Sequence, residues 1–464
     1  MTTPVRSVVV HGHFYQPPRE DPWREEVPPE PSAAPFHDWN ERIERECYGP
    51  LAEAGLFERI SFNFGPTLFE WLERAAPATY AAVLRADRNS RARLGGHGNA
   101  IAMPYHHAIL PLSSRRDKVT EVRWGKADFR RRFGREPVGM WLPETAVDHE
   151  TLDVLAQEGI AFTILAPHQV TRRPAGGLPG RYRTAGGRTI ALFVYDGPIA
   201  HGVAFGPLLS EPETWAHRLL ETPAELVSVA TDGETYGHHH KTGVQGLARL
   251  LDIVGRRDDV RVENFAAFLA RRPPQEDVTL VAPSSWSCVH GVERWRSDCG
   301  CRMAPEQPSQ QRWRAPLREA LSWLADELHA MFEREGAALF HSPWDVRDAY
   351  GAVVGADSGA RDGFVGSRLR AAGAGHGDAA ARAGALLEME RNALRIFTSC
   401  AWFFDDLARI EPIQVLRYAA RAIELSGPEA PRLESGLLER LALAPTNDPA
   451  VPDGRSLYLA RARP

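Results

Sequence analysis

The sequence predicts an α/β fold of the barrel type, followed by a mainly helical domain. Short runs rich in β-branched residues alternate with stretches of helical periodicity up to about residue 270, and mainly helical patterns follow. Strand, helix and strand in this rhythm imply right-handed crossovers and a mostly parallel sheet. The seven candidate strands suit a closed or nearly closed barrel, although the pattern by itself also allows a doubly wound open sheet.

The candidate strands are short apolar runs bounded by turn residues. They are Ser7–Val10, Ile60–Phe64, Ala92–Gly96, Val138–Leu142, Ala161–Leu165, Thr189–Val194 and Leu226–Ala230. Segments with apolar residues at helical spacing separate most of them. Clear examples are Thr67–Arg85, Asp117–Phe133 and Asp148–Gln157. The chain between such strands is therefore long enough for a helical crossover.

The pattern changes near residue 275, where Pro273–Asp277 has the composition of a linker. We therefore expect one domain over residues 1–275 and a second over residues 276–464. The second begins with the dense block SSWSCVHGVERWRSDCGCR, and helical patterns follow. They cover Arg314–Glu335, Ala385–Ser399 and Ile413–Leu425. Residues 351–377 are rich in Gly, Ala and Asp and have little periodicity, so we expect a flexible insertion there.

Composition and charge exclude several classes of protein. Of the 464 residues, 43% are hydrophobic and 25% are charged, which is typical of a globular chain with a large core. The net charge of −5 and the lack of a basic stripe argue against a nucleic-acid partner. No apolar run is long enough to cross a membrane, and the N-terminal run is too short for a signal peptide. Five cysteines, an odd number, do not suggest a disulfide framework, so we expect a cytoplasmic protein.

Polar residues follow almost every candidate strand. In chain order they are His11 and His13, Asn63, His97 and Asn99, Trp141 and Glu144, Asp196, and Asp232 and Glu234. Ligands of parallel α/β folds bind at the carboxyl ends of the strands, and barrel enzymes keep their catalytic groups on that face. Because six of the seven strands deliver such residues, the sequence predicts a polar site there.

Two of these strand ends carry carboxylates that suit glycoside hydrolysis. Glu144 lies in WLPE, just past the fourth strand, and Asp232 lies in DGET, just past the last. In that reaction one carboxylate attacks or stabilises the anomeric carbon, while the other protonates the leaving oxygen. Glu234, two positions after Asp232, competes for the acid role. A strand-end aspartate can instead cap the next helix, as Asp148 before HETLDVL is expected to do.

These motifs resemble the ordered motifs of glycoside hydrolase family 57. They are HGHxxQP at His11–Pro17, WLPE at Trp141–Glu144, DGETYGHH at Asp232–His239 and ENF at Glu263–Phe265. The resemblance covers about residues 7–425 and continues through SWSCVHGVERWRSDCGC and FTSCAWFFDD. In that helical part the chain is similar to the branch of the family that carries a C-terminal domain of unknown function.

The resemblance implies a fold and an activity. The fold is an incomplete (β/α)7 barrel over residues 1–275, followed by a mainly α-helical domain over residues 276–464 that completes the active site. The reaction is retaining cleavage or transfer at α-glycosidic bonds, usually of α-glucans, with a polysaccharide or oligosaccharide as the partner. Glu144 matches the nucleophile and Asp232 the general acid/base. The family includes amylases, glucanotransferases, branching enzymes and a galactosidase, so the type of reaction stays open.

A larger set of residues is expected to bind the substrate. Aromatic rings can stack on sugar rings, while histidine, amide and carboxylate groups can bind hydroxyls. The set is His11, His13, Gln16, Asn99, Trp141, Glu234, Tyr236, His238, Trp286, His290, Trp402 and Asp405. Asp405 is included because FTSCAWFFDD resembles a C-terminal motif of the family. We expect neither a metal ion nor another cofactor.

Two other functions are compatible with the same strand ends. His11 and His13, with His97 and Asp232, could hold zinc in a barrel metal hydrolase or deacetylase. In that case Glu144 would have no role. The third possibility is a barrel that binds glycans without cutting them, but such chains typically lose a catalytic carboxylate, and both are present here.

The cysteine-rich block also offers metal ligands. Cys288, His290, Cys299 and Cys301 form a C-x-H and a C-x-C pair. Both spacings are tighter than the C-x₂₋₄-C of usual structural zinc sites. We therefore expect this block to serve in packing and as a wall of the active site.

Overall fold

The computed structural model describes residues 5–370 and 377–463, which form two compact units. The first unit comprises the described residues up to Gln16, Pro28–Pro104 and Phe129–Trp286. The second unit comprises Pro17–Val27, Tyr105–Asp128 and the described residues from Ser287 onward. Two segments of the N-terminal half thus belong to the second unit, and no change of composition marks them in the sequence.

The described residues contain seven β-strands, all of them in the first unit. They are β1 (Arg6–Phe14), β2 (Ser61–Phe64), β3 (Phe162–Leu165), β4 (Gly180–Arg183), β5 (Thr189–Val194), β6 (Leu226–Asp232) and β7 (Val260–Val262). The central strand β1 pairs in parallel with β2 and β6, and its N-terminal end also pairs with β7. A second sheet has β5 parallel to β3 and antiparallel to β4. All pairs but one are therefore parallel, as the alternation of strands and helices predicts.

Single backbone contacts join the two sheets into an incomplete barrel. Parallel bridges link β2 to residues 100–102, that segment to residues 139–140, and the latter to β3. After β5, the Asp196 amide donates a hydrogen bond to the Ser228 carbonyl of β6, 2.7 Å away. The wall thus runs β1, β2, 100–102, 139–140, β3, β5 and β6 before it returns to β1. These parallel segments form the incomplete (β/α)7 barrel that the sequence predicts.

The third predicted strand, Ala92–Gly96, is wrong. A helix continues to Arg93, and a turn follows in which Gly95 and Gly96 have φ of +62° and +97°. Glycine adopts this conformation readily because it has no Cβ, so LGG ends the helix here. The wall segment comes later, in NAIAM at residues 99–103. Its alanines are poor strand formers, which is why the sequence pattern did not reveal it.

Two glycines of the motifs are required where the chain passes the Phe14 ring. A Cβ at Gly12 would lie 2.7 Å from that ring, and a Cβ at Gly233 would lie 2.2 Å from it. Both distances are far shorter than the optimal separation of two carbon atoms. The glycines of HGH and DGE therefore allow β1 and the end of β6 to pack closely, directly beside the candidate site residues.

Helices connect the strands and make up most of the second unit. In chain order they are α1 (Trp39–Ile43), α2 (Gly49–Glu53), α3 (Pro66–Ala75), α4 (Pro77–Arg93), α5 (Arg115–Phe133), α6 (His149–Gln157), α7 (Gly197–Ala204), α8 (Pro212–Glu221), α9 (Gly243–Gly255), α10 (Phe265–Arg271), α11 (Arg314–Leu339), α12 (Pro343–Tyr350), α13 (Ser358–Arg368), α14 (Gly377–Arg395), α15 (Cys400–Phe403), α16 (Ile410–Leu425), α17 (Ala430–Leu441) and α18 (Gly454–Leu457). None of the described helices is long and apolar enough to cross a membrane.

Helix α13 lies within residues 351–377, where the sequence suggested a flexible insertion. The low periodicity of that range reflects its many small residues and does not prevent helix formation. Asp357 caps α13 by accepting a hydrogen bond from the Ala360 amide at 2.8 Å. Residues 371–376 of the range lie outside the described part of the chain.

The second unit contains a buried network of four charged residues. Arg347 donates a hydrogen bond to Glu390 at 2.7 Å and lies 2.9 Å from an oxygen of Asp117. His329 contacts the same two carboxylates. Burial by itself lowers the pKa of His329, but the charges of Glu390 and Asp117 raise it to about 10. Two cations therefore balance two carboxylates, as buried charges require.

We expect Arg347→Met to lower the free energy of unfolding by about 3–5 kcal/mol, because it leaves buried carboxylate charge uncompensated. Urea unfolding followed by circular dichroism measures this loss. Arg432→Met is the matched control, since Arg432 makes exposed pairs with Glu327 and Glu429, and it should leave the stability unchanged. Equal stability of the two variants would show that the buried network does not stabilise the unit.

Candidate active site

The end of β1 carries a layer of stacked rings. His11 and His13 are two residues apart on the strand, so both side chains lie on the same face of the sheet. Both rings stack on Trp141, with centroid distances of 4.9 and 5.1 Å. Trp286 meets the same indole edge-on at 5.1 Å. Trp141 is fully buried by these contacts, so it offers no open face to a sugar ring, contrary to our expectation.

Hydrogen bonds from β2 fix both histidine rings. His11 Nδ1 lies 3.0 Å from Ser61 Oγ, and His11 Nε2 lies 3.1 Å from Asn63 Oδ1. The Asn63 amide nitrogen lies 2.9 Å from His13 Nδ1, which makes that ring nitrogen the acceptor. Burial lowers the pKa of both histidines to about 3. Both imidazoles are therefore neutral at neutral pH.

This arrangement does not favour a metal site at the end of β1. Such a site would need His11, His13 and Asp232 as joint ligands. Both ring nitrogens of His11 already contact protein groups, so a metal ion or a sugar hydroxyl would have to break one of these hydrogen bonds. His97 lies in the turn after α4, where its carbonyl accepts a hydrogen bond from Asn264 at 3.0 Å.

Asp232 is the last residue of β6 and lies opposite His13 in the parallel register. Its side chain is open to solvent, yet protein atoms crowd around its carboxyl group. This partial desolvation, together with the charges of Glu234 and Glu144, holds the pKa of Asp232 well above its ordinary value of 3.8. The carboxyl therefore keeps its proton at a higher pH than a free aspartic acid, as a general acid must.

Glu144 lies in a turn with an uncommon backbone conformation. Its φ is +56°, and that of the next residue, Thr145, is +48°. Both values lie in the left-handed region, which non-glycine residues seldom adopt. Trp286 holds this turn twice: its indole N–H donates to Glu144 Oε2 at 3.1 Å, and its backbone amide donates to the Glu144 carbonyl at 3.0 Å. Such strain persists only where surrounding contacts impose it, and it clusters at active sites.

Glu234 is buried, and donors of the protein hold its carboxyl group. Its Oε1 accepts hydrogen bonds from the Tyr15 amide at 3.1 Å and from the Tyr48 hydroxyl. Gln16 also hydrogen-bonds this carboxyl group. Burial raises the pKa of Glu234 to about 7, although these hydrogen bonds favour the charged form. Glu234 therefore adds negative charge beside Asp232 while its own carboxyl is held by the protein.

Sequence reasoning missed two tyrosines near these carboxyl groups. Tyr48 ends the π-helical segment Glu44–Tyr48, and no pattern links it to Glu234, which lies 186 residues later. Tyr195 directly follows β5, and burial together with the charge of Asp232 raises its pKa. Its position at the end of a predicted strand could have identified Tyr195 as a site residue, but the sequence analysis considered only the adjacent Asp196.

Two other strand-end aspartates are helix caps. Asp148 accepts a hydrogen bond from the Thr151 amide at 2.7 Å and begins α6, which confirms the cap predicted from the sequence. Asp196 accepts a hydrogen bond from the Ile199 amide at 2.9 Å and begins α7. A carboxylate at a strand end is therefore not by itself a site residue in this barrel.

Asn99 and Tyr236, both expected to bind substrate, are buried. The Asn99 side-chain oxygen accepts a hydrogen bond from Asn264 at 2.9 Å. The Tyr236 hydroxyl accepts a hydrogen bond from Thr231 at 3.0 Å, and its ring has no exposed surface. These two side chains brace the wall of the barrel.

His238 and Gln16 keep part of their surface exposed. His238 Nδ1 lies 2.5 Å from Glu46 Oε2, and Lys241 lies 2.9 Å from the same oxygen. Burial would raise the pKa of Glu46, but Lys241 and His238 lower it to about 2. Gln16 hydrogen-bonds both Tyr48 and Glu234.

Three of the expected binding residues belong to the second unit. Trp402 is fully buried, and its indole N–H donates to the Arg314 carbonyl at 3.2 Å. Asp405 accepts hydrogen bonds at 2.9 Å from two backbone amides of the loop that follows the cysteines. His290 is exposed and lies among those cysteines, Cys301 Sγ being 3.7 Å from its Nδ1.

Two family models match this chain. Residues 59–270 match glycosyl hydrolase family 57, and residues 310–464 match a domain of unknown function (DUF3536). Residues 59–270 thus form a domain of glycosyl hydrolase family 57. The matched barrel residues include both Glu144 and Asp232.

Two curated proteins are similar to about half of this chain. An α-amylase of Pyrococcus horikoshii is 24% identical over 234 residues, which are 48% of this chain and 35% of that protein. A 4-α-glucanotransferase of Thermococcus litoralis is 22% identical over 233 residues, which are 48% of this chain and 34% of that protein. The match thus spans about a third of the length of these relatives.

Solved structures of similar fold cover nearly the whole chain. The exo-type maltose-forming amylase of Pyrococcus sp. ST04 is 16% identical, with a TM-score of 0.75 over 94% of this chain and 83% of that one. The family-57 branching enzyme of Thermococcus kodakaraensis is 15% identical, with a TM-score of 0.58 over 96% of this chain and 92% of that one. At these identities the likeness shows the fold.

We expect Glu234 to make the folded chain less stable as the pH rises from about 4.5 to about 7. Its folded-state pKa of about 7 exceeds the ordinary value of 4.5, so the folded chain binds this proton more tightly than the unfolded chain does. The stabilisation is complete below pH 4.5 and is lost above pH 7, and the full shift corresponds to about 3 kcal/mol. Glu234→Gln should remove this part of the pH dependence in urea unfolding.

Glu221→Gln, at the exposed end of α8, is the control for this measurement and should keep the wild-type pH dependence. If Glu234→Gln and Glu221→Gln follow the same curve between pH 4.5 and 7, Glu234 does not carry a raised pKa.

Proposed function

We propose that this protein is a retaining glycoside hydrolase or transglycosylase that acts on α-glucans by double displacement, with Glu144 as nucleophile and Asp232 as general acid/base. The observation that carries this proposal is the electrostatic link between the two groups. Partial desolvation, the charge of Glu234 and the charge of Glu144 together raise the pKa of Asp232, so this carboxyl group keeps its proton while Glu144 can attack. A retaining mechanism needs this division of roles.

The same link accounts for the two half-reactions. In the first, Glu144 attacks the anomeric carbon, and Asp232 gives its proton to the departing glycosidic oxygen. The covalent bond removes the negative charge of Glu144, so one cause of the raised pKa of Asp232 disappears. Asp232, now deprotonated, can take a proton from water or from a sugar hydroxyl, whose oxygen attacks the anomeric carbon. Bond cleavage then restores the Glu144 carboxylate and returns the pKa of Asp232 to its raised value.

The turn around Glu144 supports its role as nucleophile. The indole N–H of Trp286 donates to Oε2 and stabilises the carboxylate form. The left-handed backbone at residues 144 and 145 costs about 1–3 kcal/mol for each residue, and this strain is consistent with a side chain held in one reactive orientation.

We divide the expected binding residues of the first unit by their exposure. Gln16, His238 and Trp286 keep accessible surface, and we propose that they contact the sugar. His11, Asn99, Trp141 and Tyr236 are buried, and we propose that they position the exposed groups. His13, which has 4% of its surface exposed beside Asp232, belongs to the contacting group.

The named activities of the relatives guide the choice of substrate. They comprise an amylase, a 4-α-glucanotransferase and a branching enzyme. All three names point to α-glucans, and we propose a polysaccharide or oligosaccharide of this type as the substrate in a cytoplasmic setting. The metal-hydrolase alternative is less well supported, because both ring nitrogens of His11 contact Ser61 and Asn63.

We expect Glu144→Gln and Asp232→Asn to lower the turnover of a maltooligosaccharide by at least about a thousandfold, because each variant removes one partner of the two-carboxylate mechanism. An α-glucosyl fluoride separates the two roles, since fluoride leaves without a proton. In the first turnover, before Asp232 is needed as a base, Asp232→Asn should therefore release fluoride at close to the wild-type rate, whereas Glu144→Gln should not. Fluoride release and product chromatography measure the two rates.

Asp196→Asn is the matched control, because Asp196 is a strand-end aspartate that caps α7, and this variant should keep wild-type turnover. Full activity of Glu144→Gln on the maltooligosaccharide would contradict the proposal. Equal defects of the two variants on the fluoride would leave Asp232 without the role of general acid.

We expect Trp286→Phe to slow the reaction, because the Glu144 carboxylate loses the indole N–H that donates to its Oε2. We expect kcat to fall about tenfold, as for a lost hydrogen bond to a charged group. Trp23→Phe is the matched control, since its indole donates to Glu424 at 2.6 Å in the second unit. A wild-type kcat in Trp286→Phe would mean that this hydrogen bond does not support the nucleophile.

A further inference from the structure

Four potential metal ligands gather in the second unit, in the loop between Trp286 and α11. Cys288 Sγ lies 4.0 Å from Cys299 Sγ and 3.8 Å from Cys301 Sγ. His290 Nδ1 lies 3.7 Å from Cys301 Sγ, and the ligand atoms of all four residues lie within 4.8 Å of one another. Among the described residues this is the one group of three or more Cys, His, Asp or Glu side chains with such a geometry.

The distances fit a tetrahedral ion better than they fit a disulfide. A zinc–sulfur bond of about 2.3 Å places the corners of a tetrahedron about 3.8 Å apart. The sulfur–sulfur separations of 3.8 and 4.0 Å match this edge. A disulfide would need a separation of about 2.05 Å. All of these cysteines are free thiols, so the loop is arranged around a central point and not as a covalent pair.

The backbone accommodates the tight C-x-C and C-x-H spacings that argued against a metal in the sequence. Gly300 has φ of +82°, a conformation that turns the chain sharply between Cys299 and Cys301. Backbone amides also point at the sulfur atoms: those of His290 and Arg294 donate to Cys288, and that of Cys301 donates to Cys299.

Surrounding contacts hold this loop in place and balance its charge. Arg314, the first residue of α11, is buried and donates to the Cys301 carbonyl at 3.0 Å. Asp405 accepts hydrogen bonds from the Met303 and Ala304 amides, directly after the last cysteine. Three thiolates and one neutral imidazole around a divalent ion carry one net negative charge, which the Arg314 guanidinium offsets.

We propose that Cys288, His290, Cys299 and Cys301 bind one Zn²⁺ ion as a structural Cys₃His site. Four protein ligands fill a tetrahedral shell and leave no position for substrate or water, so the ion ties the loop together and takes no part in the reaction. The loop between Ser287 and Trp313 contains only one short 3₁₀ helix, Glu293–Trp295, among its described residues. A metal cross-link replaces the secondary structure that this loop lacks. The proposal does not depend on the proposed function.

The first test measures metal in the full-length chain, expressed with zinc in the medium and purified without a polyhistidine tag. We expect about one zinc per chain by inductively coupled plasma mass spectrometry. We also expect this zinc to be released when a mercurial reagent modifies the thiols. Cys299→Ser and Cys301→Ser should lose most of the zinc. Cys400→Ser, which changes a half-buried cysteine outside the cluster, should keep the wild-type content.

The second test uses Co²⁺, whose visible spectrum reports its ligands in the wild-type chain. This test therefore does not depend on the folding of a cysteine variant. Co²⁺ added to the chelator-treated chain should produce thiolate-to-cobalt charge-transfer bands and the visible bands of a tetrahedral ion. His290→Ala changes an exposed side chain, and it should keep the wild-type circular dichroism while it alters the visible bands and weakens Co²⁺ binding. Zinc at background level in the wild type together with no Co²⁺–thiolate band would overturn the proposal. A wild-type mass lower by two hydrogens, with a Cys288 disulfide in its peptide map, would overturn it as well.

Discussion

The interaction on which the candidate site depends is the repulsion between the negative charges of Glu144 and Glu234 and the charged form of Asp232. It lets a carboxyl group that is open to solvent keep a raised pKa, because neighbouring charges add to the partial desolvation of the group. Desolvation is the largest cause of this raised pKa, and the two neighbouring charges raise it further. The remaining features of the first unit hold the three carboxyl groups where this repulsion operates.

Three separate sets of contacts in the barrel hold the carboxyl groups in place. Parallel pairing of β1 with β6 aligns His13 with Asp232, and the glycines beside Phe14 permit that close approach. Trp286 holds the strained turn of Glu144 from the end of the first unit. Tyr48 and the Tyr15 amide hold Glu234 inside the protein. Beneath them, the layer of His11, His13 and Trp141 is neutral and closely packed, so it supplies rigidity without adding charge.

The sequence predicted those elements whose own residues favour them. It failed for elements and contacts that depend on residues far away in the chain. The strand Thr189–Val194 was predicted with its observed limits because it is β-branched and bounded by turn residues. The wall segment in NAIAM was missed because its alanines are held by neighbouring segments and not by their own strand propensity.

Trp141 was expected as a sugar platform, but the period of two in β1 places two histidine rings on it. Tyr48 had no signal, since only folding brings it to Glu234. The cysteine spacing argued against a metal site, and it did not reveal that the turn at Gly300 lets four ligand atoms gather within 4.8 Å of one another.

The proposed mechanism requires that Asp232 keep its proton, and the pKa of the Asp232 carboxyl group is the measurement that tests this requirement most directly. Carbon-13 NMR of the chain labelled at the aspartate carboxyl carbons, assigned with Asp232→Asn, gives this pKa in the wild type and in Glu144→Gln. We expect a wild-type pKa well above the ordinary value of 3.8, and a lower pKa in Glu144→Gln, where the neighbouring charge is absent. A pKa near 3.8 in both proteins would contradict the account.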